Sequence, residues 1–213
     1  MPTGDRSAVG HDALKPIANV QTRFAAGQLG MWLFLLSLAM VFGASIVAYV
    51  IVRMQLVSED DWRPDNAPGL PSLLFVSTGI LLVGSLTLAL ANRSASQGGS
   101  GSRVGGWMLV TCVFLFAFLV TQTIAWIELV QQNLMFDESL YAWMFYVLTG
   151  LHALHVIAGL PPAFVTTRHA FQGHYSTSKV SRAGLIYCGM YWHFLDAVWI
   201  VLYLVLLWGM RTG

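Results

Sequence analysis

His193 and Asp196 stand three residues apart in the segment Tyr191-Trp192-His193-Phe194-Leu195-Asp196-Ala197-Val198-Trp199, inside an apolar run from Ala183 to Met210. One helical turn separates positions i and i+3, so both side chains project from one face, where an imidazole N–H can reach a carboxylate. A charge at bilayer depth costs roughly 2.5–3.5 kcal/mol even on lenient insertion scales, so such a residue faces protein and takes a partner. His152 and His155 repeat the spacing in Thr149-Gly150-Leu151-His152-Ala153-Leu154-His155-Val156-Ile157-Ala158-Gly159. Three imidazoles and a carboxylate are ligand types for zinc or iron. One histidine from each segment would be enough to hold a haem. The same groups can also relay protons, or simply brace two helices by hydrogen bonds, because neither spacing alone is a metal signature. Gln122, an isolated amide in a third apolar run, can join that brace or bridge two helices.

The elements that must carry these groups follow from composition. Hydrophobic residues are 56% of the 213 and charged residues only 10%, too apolar a balance for a soluble surface. Charge-free runs occupy 24–52, 67–92, 104–127 and 139–167, and the fifth run carries Asp196 as its sole charge. The expected fold is therefore all-α, an integral membrane bundle of five transmembrane helices at about 29–53, 71–92, 104–128, 139–167 and 183–210. Residues 1–23 form an N-terminal tail, and 24–213 form the transmembrane domain. The first run is too long and starts too late for a cleaved signal peptide, so the first helix is expected in the mature chain. Cys112 and Cys188 each lie within an apolar run, which suits core packing and gives no support for a disulfide or thiolate zinc site.

Lys and Arg are distributed unevenly. Arg6, Lys15, Arg23, Arg93, Arg103, Arg168, Lys179 and Arg182 fall in one set of alternate compartments, and Arg53, Arg63 and Arg211 in the other. Eight against three places the N-terminus in the cytoplasm and the C-terminus outside by the positive-inside rule. The Ser/Gly-rich connector 94–102 reads as a flexible tether. The acidic outer loop 59–65 is a solvated turn or a dock for a basic surface. No internal repeat or matched pair of broken helices points to an inverted-repeat transporter. Gly150 and Gly159, with Ala153 and Ala158, let the fourth helix approach its neighbours closely. Tyr141, Trp143 and Trp208 are expected as belt anchors at the outer face, and Trp107 at the inner face.

Leu29-Gly30-Met31-Trp32-Leu33-Phe34, the segment 148–159, the segment 191–199 and the closing Leu207-Trp208-Gly209 together resemble subunit III of the haem–copper oxidases, in order and in helix placement. The resemblance covers residues 24–209 and is to the short, five-helix bacterial form, which lacks two leading helices of the seven-helix form. It implies a non-catalytic accessory subunit, with no haem, copper or other cofactor of its own, in the bacterial cytoplasmic (inner) membrane. Such a subunit packs chiefly on oxidase subunit I, with subunit II, other complex subunits and membrane lipids as further partners and no nucleic acid. It supports sustained proton uptake and enzyme integrity while the parent complex reduces oxygen to water with electrons from cytochrome c or quinol. On that reading Gln122, His152, His155, His193 and Asp196 form a structural polar network.

Two positions depart from the family pattern. A glutamate that usually follows a serine in the first helix corresponds to Leu38, and the glutamate of a Gln-Ala-x-Glu-Tyr pattern in the third corresponds to Ala125. Losing two costly buried carboxylates implies that whatever they stabilise in relatives is absent or relocated here. A subunit III-like companion of nitric oxide reductase, and an independent membrane cytochrome or metalloprotein, stay open as alternatives.

Overall fold

The computed structural model describes residues 8–56, 72–131 and 140–211, with side chains placed at 20–54, 72–131 and 140–210. The acidic loop 59–65 lies outside the described residues, so its docking role has no structural description. Among the described residues all regular structure is helical: α1 (Ala8–Ile51) runs into a π-helical turn at Val52–Leu56, followed by α2 (Leu73–Ser96), α3 (Gly101–Gln131), α4 (Leu140–Phe171) and α5 (Ala183–Arg211). All five carry stretches long and apolar enough to cross a membrane.

Helix α1 starts far ahead of the predicted residue 29, and most of the supposed tail is helical from Ala8. At 1.5 Å per residue its 44 residues span about 66 Å, roughly twice the hydrocarbon thickness. No glycine or proline between Ile17 and Ala26 interrupts it, and it continues through Pro16 and Gly10 to Ala8, past the apolar run that first reveals it.

The connector after α2 is a tight turn rather than a tether. Ser94–Ser96 close α2 and Gly101–Ser102 open α3, so 97–100 alone make the connection. Gly98 takes φ +75°, the Gly99 N–H donates to the Ser94 carbonyl at 2.9 Å, and the Ser100 carbonyl accepts from Arg103 N–H at 2.9 Å. Gly98 caps α2 in the left-handed conformation, a use that composition does not distinguish from a linker.

That short turn sets α2 and α3 side by side as the closest pair. The buried stripe of α3, Val104, Met108, Thr111, Leu115, Phe118, Gln122, Ala125 and Leu129, alternates steps of four and three, the period of a left-handed coiled coil. Gly84 admits Phe114, whose Cβ lies 3.2 Å from where a glycine Cβ would sit, and the Thr87 and Thr111 hydroxyls meet at 2.8 Å. The contacts α2·α3, α3·α4, α4·α5 and α2·α5 close a four-helix ring, and α1 packs outside it on α5 and α4. Large apolar side chains such as Phe75, Phe116, Leu154 and Phe164 point outward, the arrangement expected where the solvent is hydrocarbon.

Polar groups clamp one end of the ring. Arg182, buried ahead of α5, donates through Nη1 to the Asn92 side-chain oxygen at 2.9 Å and to the Asn92 carbonyl at 3.3 Å. Trp107, Trp143 and Trp208 are partly exposed, as belt residues are, but Tyr141 is buried at 1% exposure and sits within electrostatic reach of Tyr49. Near the start of α4 it is buried within the bundle, so it is a core residue and not an interfacial anchor. Cys112 and Cys188 are both free thiols, with Cys112 Sγ 3.4 Å from Thr167 Oγ1.

Candidate functional site

The five predicted polar residues fall into three separate environments. His193 and Asp196 are paired as an i, i+3 contact, with Nδ1 and Oδ2 at 3.8 Å. That is close enough for an ion pair and too long for a hydrogen bond. The short contact of His193 is instead Ser85 Oγ on α2, 2.7 Å from Nδ1. The pair is split across the surface: the Asp196 side chain is 9% exposed and that of His193 47%. Asp196 Oδ2 has no hydrogen-bond partner within the described chain.

His152 occupies the middle of the ring and is 1% exposed. Its walls are aromatic: Trp199 at 4.9 Å between ring centroids, Phe118 at 5.8 Å edge-on and Phe42 at 6.3 Å. Neither imidazole nitrogen finds a hydrogen bond among the described residues. The nearby Trp199 N–H is committed elsewhere, to Thr78 Oγ1 at 3.0 Å. His155, one turn on, bonds its own helix through Nδ1 and the Leu151 carbonyl at 2.7 Å and rests on Phe42 at 5.0 Å. The Tyr191 hydroxyl then donates to the His155 carbonyl at 2.7 Å, tying α5 to α4.

Gln122 holds a core position of the α3 stripe, with both amide atoms buried and unpartnered. The residues Gln122, His152, His155, His193 and Asp196 therefore do not form one hydrogen-bonded network. Helical spacing assigns each to the correct face of its own helix, but what lies across from that face is aromatic for His152 and a serine hydroxyl for His193. Among the described residues, no group of three His, Cys, Asp or Glu side chains comes together to hold an ion. The His152 ring, one that a haem shared between α4 and α5 could use, is enclosed by Trp199, Phe118 and Phe42.

Sequence reasoning misses Ser85, Phe42 and Trp199. A serine midway along an apolar helix is the available signal for Ser85; the aromatic walls have none, since they come from three different helices. It also misses an apolar cavity of about 550 Å³ between α1, α4 and α5, lined by Met31, Phe34, Pro162, Tyr187 and Trp192 among others. None of the five polar residues lines it. The two departures from the acidic pattern are both core positions: Leu38 is 8% exposed and Ala125 fully buried, so each apolar replacement sits in an apolar interior that suits it.

Comparison with known proteins agrees with this architecture. Residues 18–210 match the family model for cytochrome c oxidase subunit III. The cytochrome c oxidase subunit 3 of a Synechocystis species is 32% identical over 177 residues, covering 83% of this chain and 72% of the relative. The cytochrome bo(3) ubiquinol oxidase subunit 3 of Pseudomonas aeruginosa is 30% identical over 178 residues, covering 83% and 81%. The heme-copper oxidase subunit I+III of Aeropyrum pernix is 27% identical over 176 residues, which cover 81% of this chain and 21% of that protein. On the family match and these identities, this five-helix membrane chain belongs to the cytochrome c oxidase subunit III family.

Proposed function

We propose that the chain is the accessory subunit of a respiratory haem–copper oxidase in a bacterial cytoplasmic membrane, that it docks on subunit I, and that it keeps the catalytic core active without taking part in electron transfer. The observation that carries the reading is the family match along nearly the whole membrane domain. The relative that joins subunits I and III in its name supports subunit I as the neighbour. The disposition of the histidines supports a role without a bound redox group: His152 is walled by aromatic rings, His155 is tied to its own helix and His193 looks outward. Oxygen reduction belongs on this account to haem and copper held by partner chains.

Removal of this chain from the assembled enzyme tests the role. The stripped core should show an unchanged optical spectrum and nearly its full initial rate of oxygen consumption, then lose activity over successive turnovers faster than the intact complex. An initial rate that collapses at once, with the core spectrum intact, would give the chain a direct part in the chemistry. Purified by itself and reconstituted, the chain should show no Soret band and no stoichiometric metal. One haem or metal per chain, lost on substituting His155 or His193, would make it a metalloprotein.

The Lys/Arg asymmetry supports a cytoplasmic N-terminus. A cysteine introduced near Gly99, at Gln97, should then be shielded from an impermeant thiol reagent in intact cells, and one near Asn66 should react. The opposite labelling pattern would invert the topology.

A further inference from the structure

His193 is an ionisable side chain that looks outward from the middle of the bundle. It lies ten residues into α5, about 15 Å along the axis from Ala183, and Ser85 lies about 18 Å from Leu73 on α2. Both are therefore near the centre of a hydrocarbon layer about 30 Å thick. Ser85 Oγ occupies Nδ1, and within the described chain no hydrogen bond reaches Nε2. Behind the imidazole, Asp196 is more than nine-tenths buried and its Oδ2 has no hydrogen-bond partner. Lipid tails can satisfy none of these groups, and ionisable residues at such depth face protein.

The surface around His193 is shaped for a helix. Along α5, His193 and Ala197 lie one turn apart and are both exposed. Along α2, Leu82, Ser85 and Leu86 form the other wall, with both leucines exposed. Small residues beside a polar one are what close packing of membrane helices uses.

We propose that the α2/α5 seam centred on His193 is the docking surface for a transmembrane helix of the oxidase catalytic core, and that this helix presents a hydrogen-bonding side chain to His193 Nε2. The proposal rests on the accessory-subunit reading above and names the face through which that subunit binds. It also accounts for a half-exposed histidine and a buried carboxylate whose Oδ2 makes no hydrogen bond within the described chain standing in the same turn: assembly supplies the hydrogen-bond partner that the isolated chain lacks.

The test uses the whole complex in native membranes, with an affinity tag on this chain. A photoreactive phenylalanine analogue at Leu82 or Ile200, flanking His193, should crosslink to the catalytic subunit. The same probe at Phe116 on α3 or Leu154 on α4, which form the side of the ring away from the seam, should not. In mild detergent, His193→Leu should lower the core recovered per tagged chain roughly threefold, the change that one average interhelical hydrogen bond gives. His193→Gln, which keeps a donor and an acceptor, should recover most of it.

Core crosslinks from Phe116 or Leu154, with only lipid or a second copy of this chain captured from Leu82 and Ile200, would overturn the surface while leaving the accessory reading in place. Equal core recovery with His193→Leu and wild type would also overturn it. Absence of any oxidase core from the wild-type eluate would overturn the accessory reading and the surface together, so the two failures are distinct.

Discussion

Asp196→Leu leaves the purified subunit as stable as the parent chain, or slightly more so, yet depletes it from the assembled complex. The carboxylate is buried, its Oδ2 makes no hydrogen bond within the described chain, and its one close basic neighbour there is His193 Nδ1 at 3.8 Å. An apolar side chain of similar volume removes that desolvation cost and strands no donor within the chain, because His193 keeps Ser85. The expected change in the unfolding free energy of the isolated subunit in detergent lies between zero and about 1 kcal/mol of stabilisation. Sequence spacing alone gives the contrary expectation, that leucine would orphan a buried imidazole. The half-exposed position of His193 reverses it. In the complex, loss of the acid behind His193 should weaken docking, while the spectrum and initial turnover of the remaining core stay unchanged. Asp196→Asn, which keeps shape and hydrogen-bonding capacity, should assemble almost normally. Collapse of initial turnover with the leucine variant fully bound would place Asp196 on a proton path instead.

Gly159→Val should damage the fold directly, by forcing α4 and α5 apart. A Cβ on Gly159 would sit 2.5 Å from Tyr191 Cε1 and 2.8 Å from Trp192 Cζ2. Both are rigid rings of α5 in a packed contact, and Trp192 is only 2% exposed. Separation of the helices disturbs the Tyr191 hydroxyl bond to the His155 carbonyl and the contacts around it. Overpacking of this kind costs about 1–3 kcal/mol, and the two extra methyls of valine put it at the upper end. Thermal unfolding in detergent should shift down by several degrees. Gly150→Val is the control: a Cβ there meets nothing within 4 Å, so its melting point should stay within error of the parent.

The two glycines show what the sequence can and cannot carry. Both flank the histidines of α4 and both read as packing surface, but only Gly159 faces a neighbour. The five spans are legible because absence of charge over twenty or more residues is a one-dimensional signal, and the helices stand where those runs do. Their ends are less legible. α1 runs on to Ala8 through Pro16 and Gly10, residues that usually end a helix, so nothing in the sequence marks where it starts. The turn at Gly98 is hidden because a glycine cap and a glycine linker have the same composition.

For the polar residues, the sequence specifies the face of each helix and not the rotation of one helix against another. His152 and Gln122 belong to the interior, as their surroundings in sequence suggest, and each is 2% exposed or less. That one meets aromatic rings and the other no hydrogen-bond partner depends on contacts between residues far apart in the chain. Arg182 reads in sequence only as a loop cation and is in the fold a buried clamp on Asn92, for the same reason.

Whether this chain works as a bound accessory part of an oxygen-reducing enzyme is decided by gentle detergent purification through a tag on it, with partner chains identified by mass and haem, copper and iron quantified. Co-purification of a haem- and copper-containing core that consumes oxygen, with this chain contributing no redox centre, is the predicted result. Recovery of the chain alone with its own stoichiometric haem or metal, or with a core holding haem and non-haem iron but no copper, would contradict it.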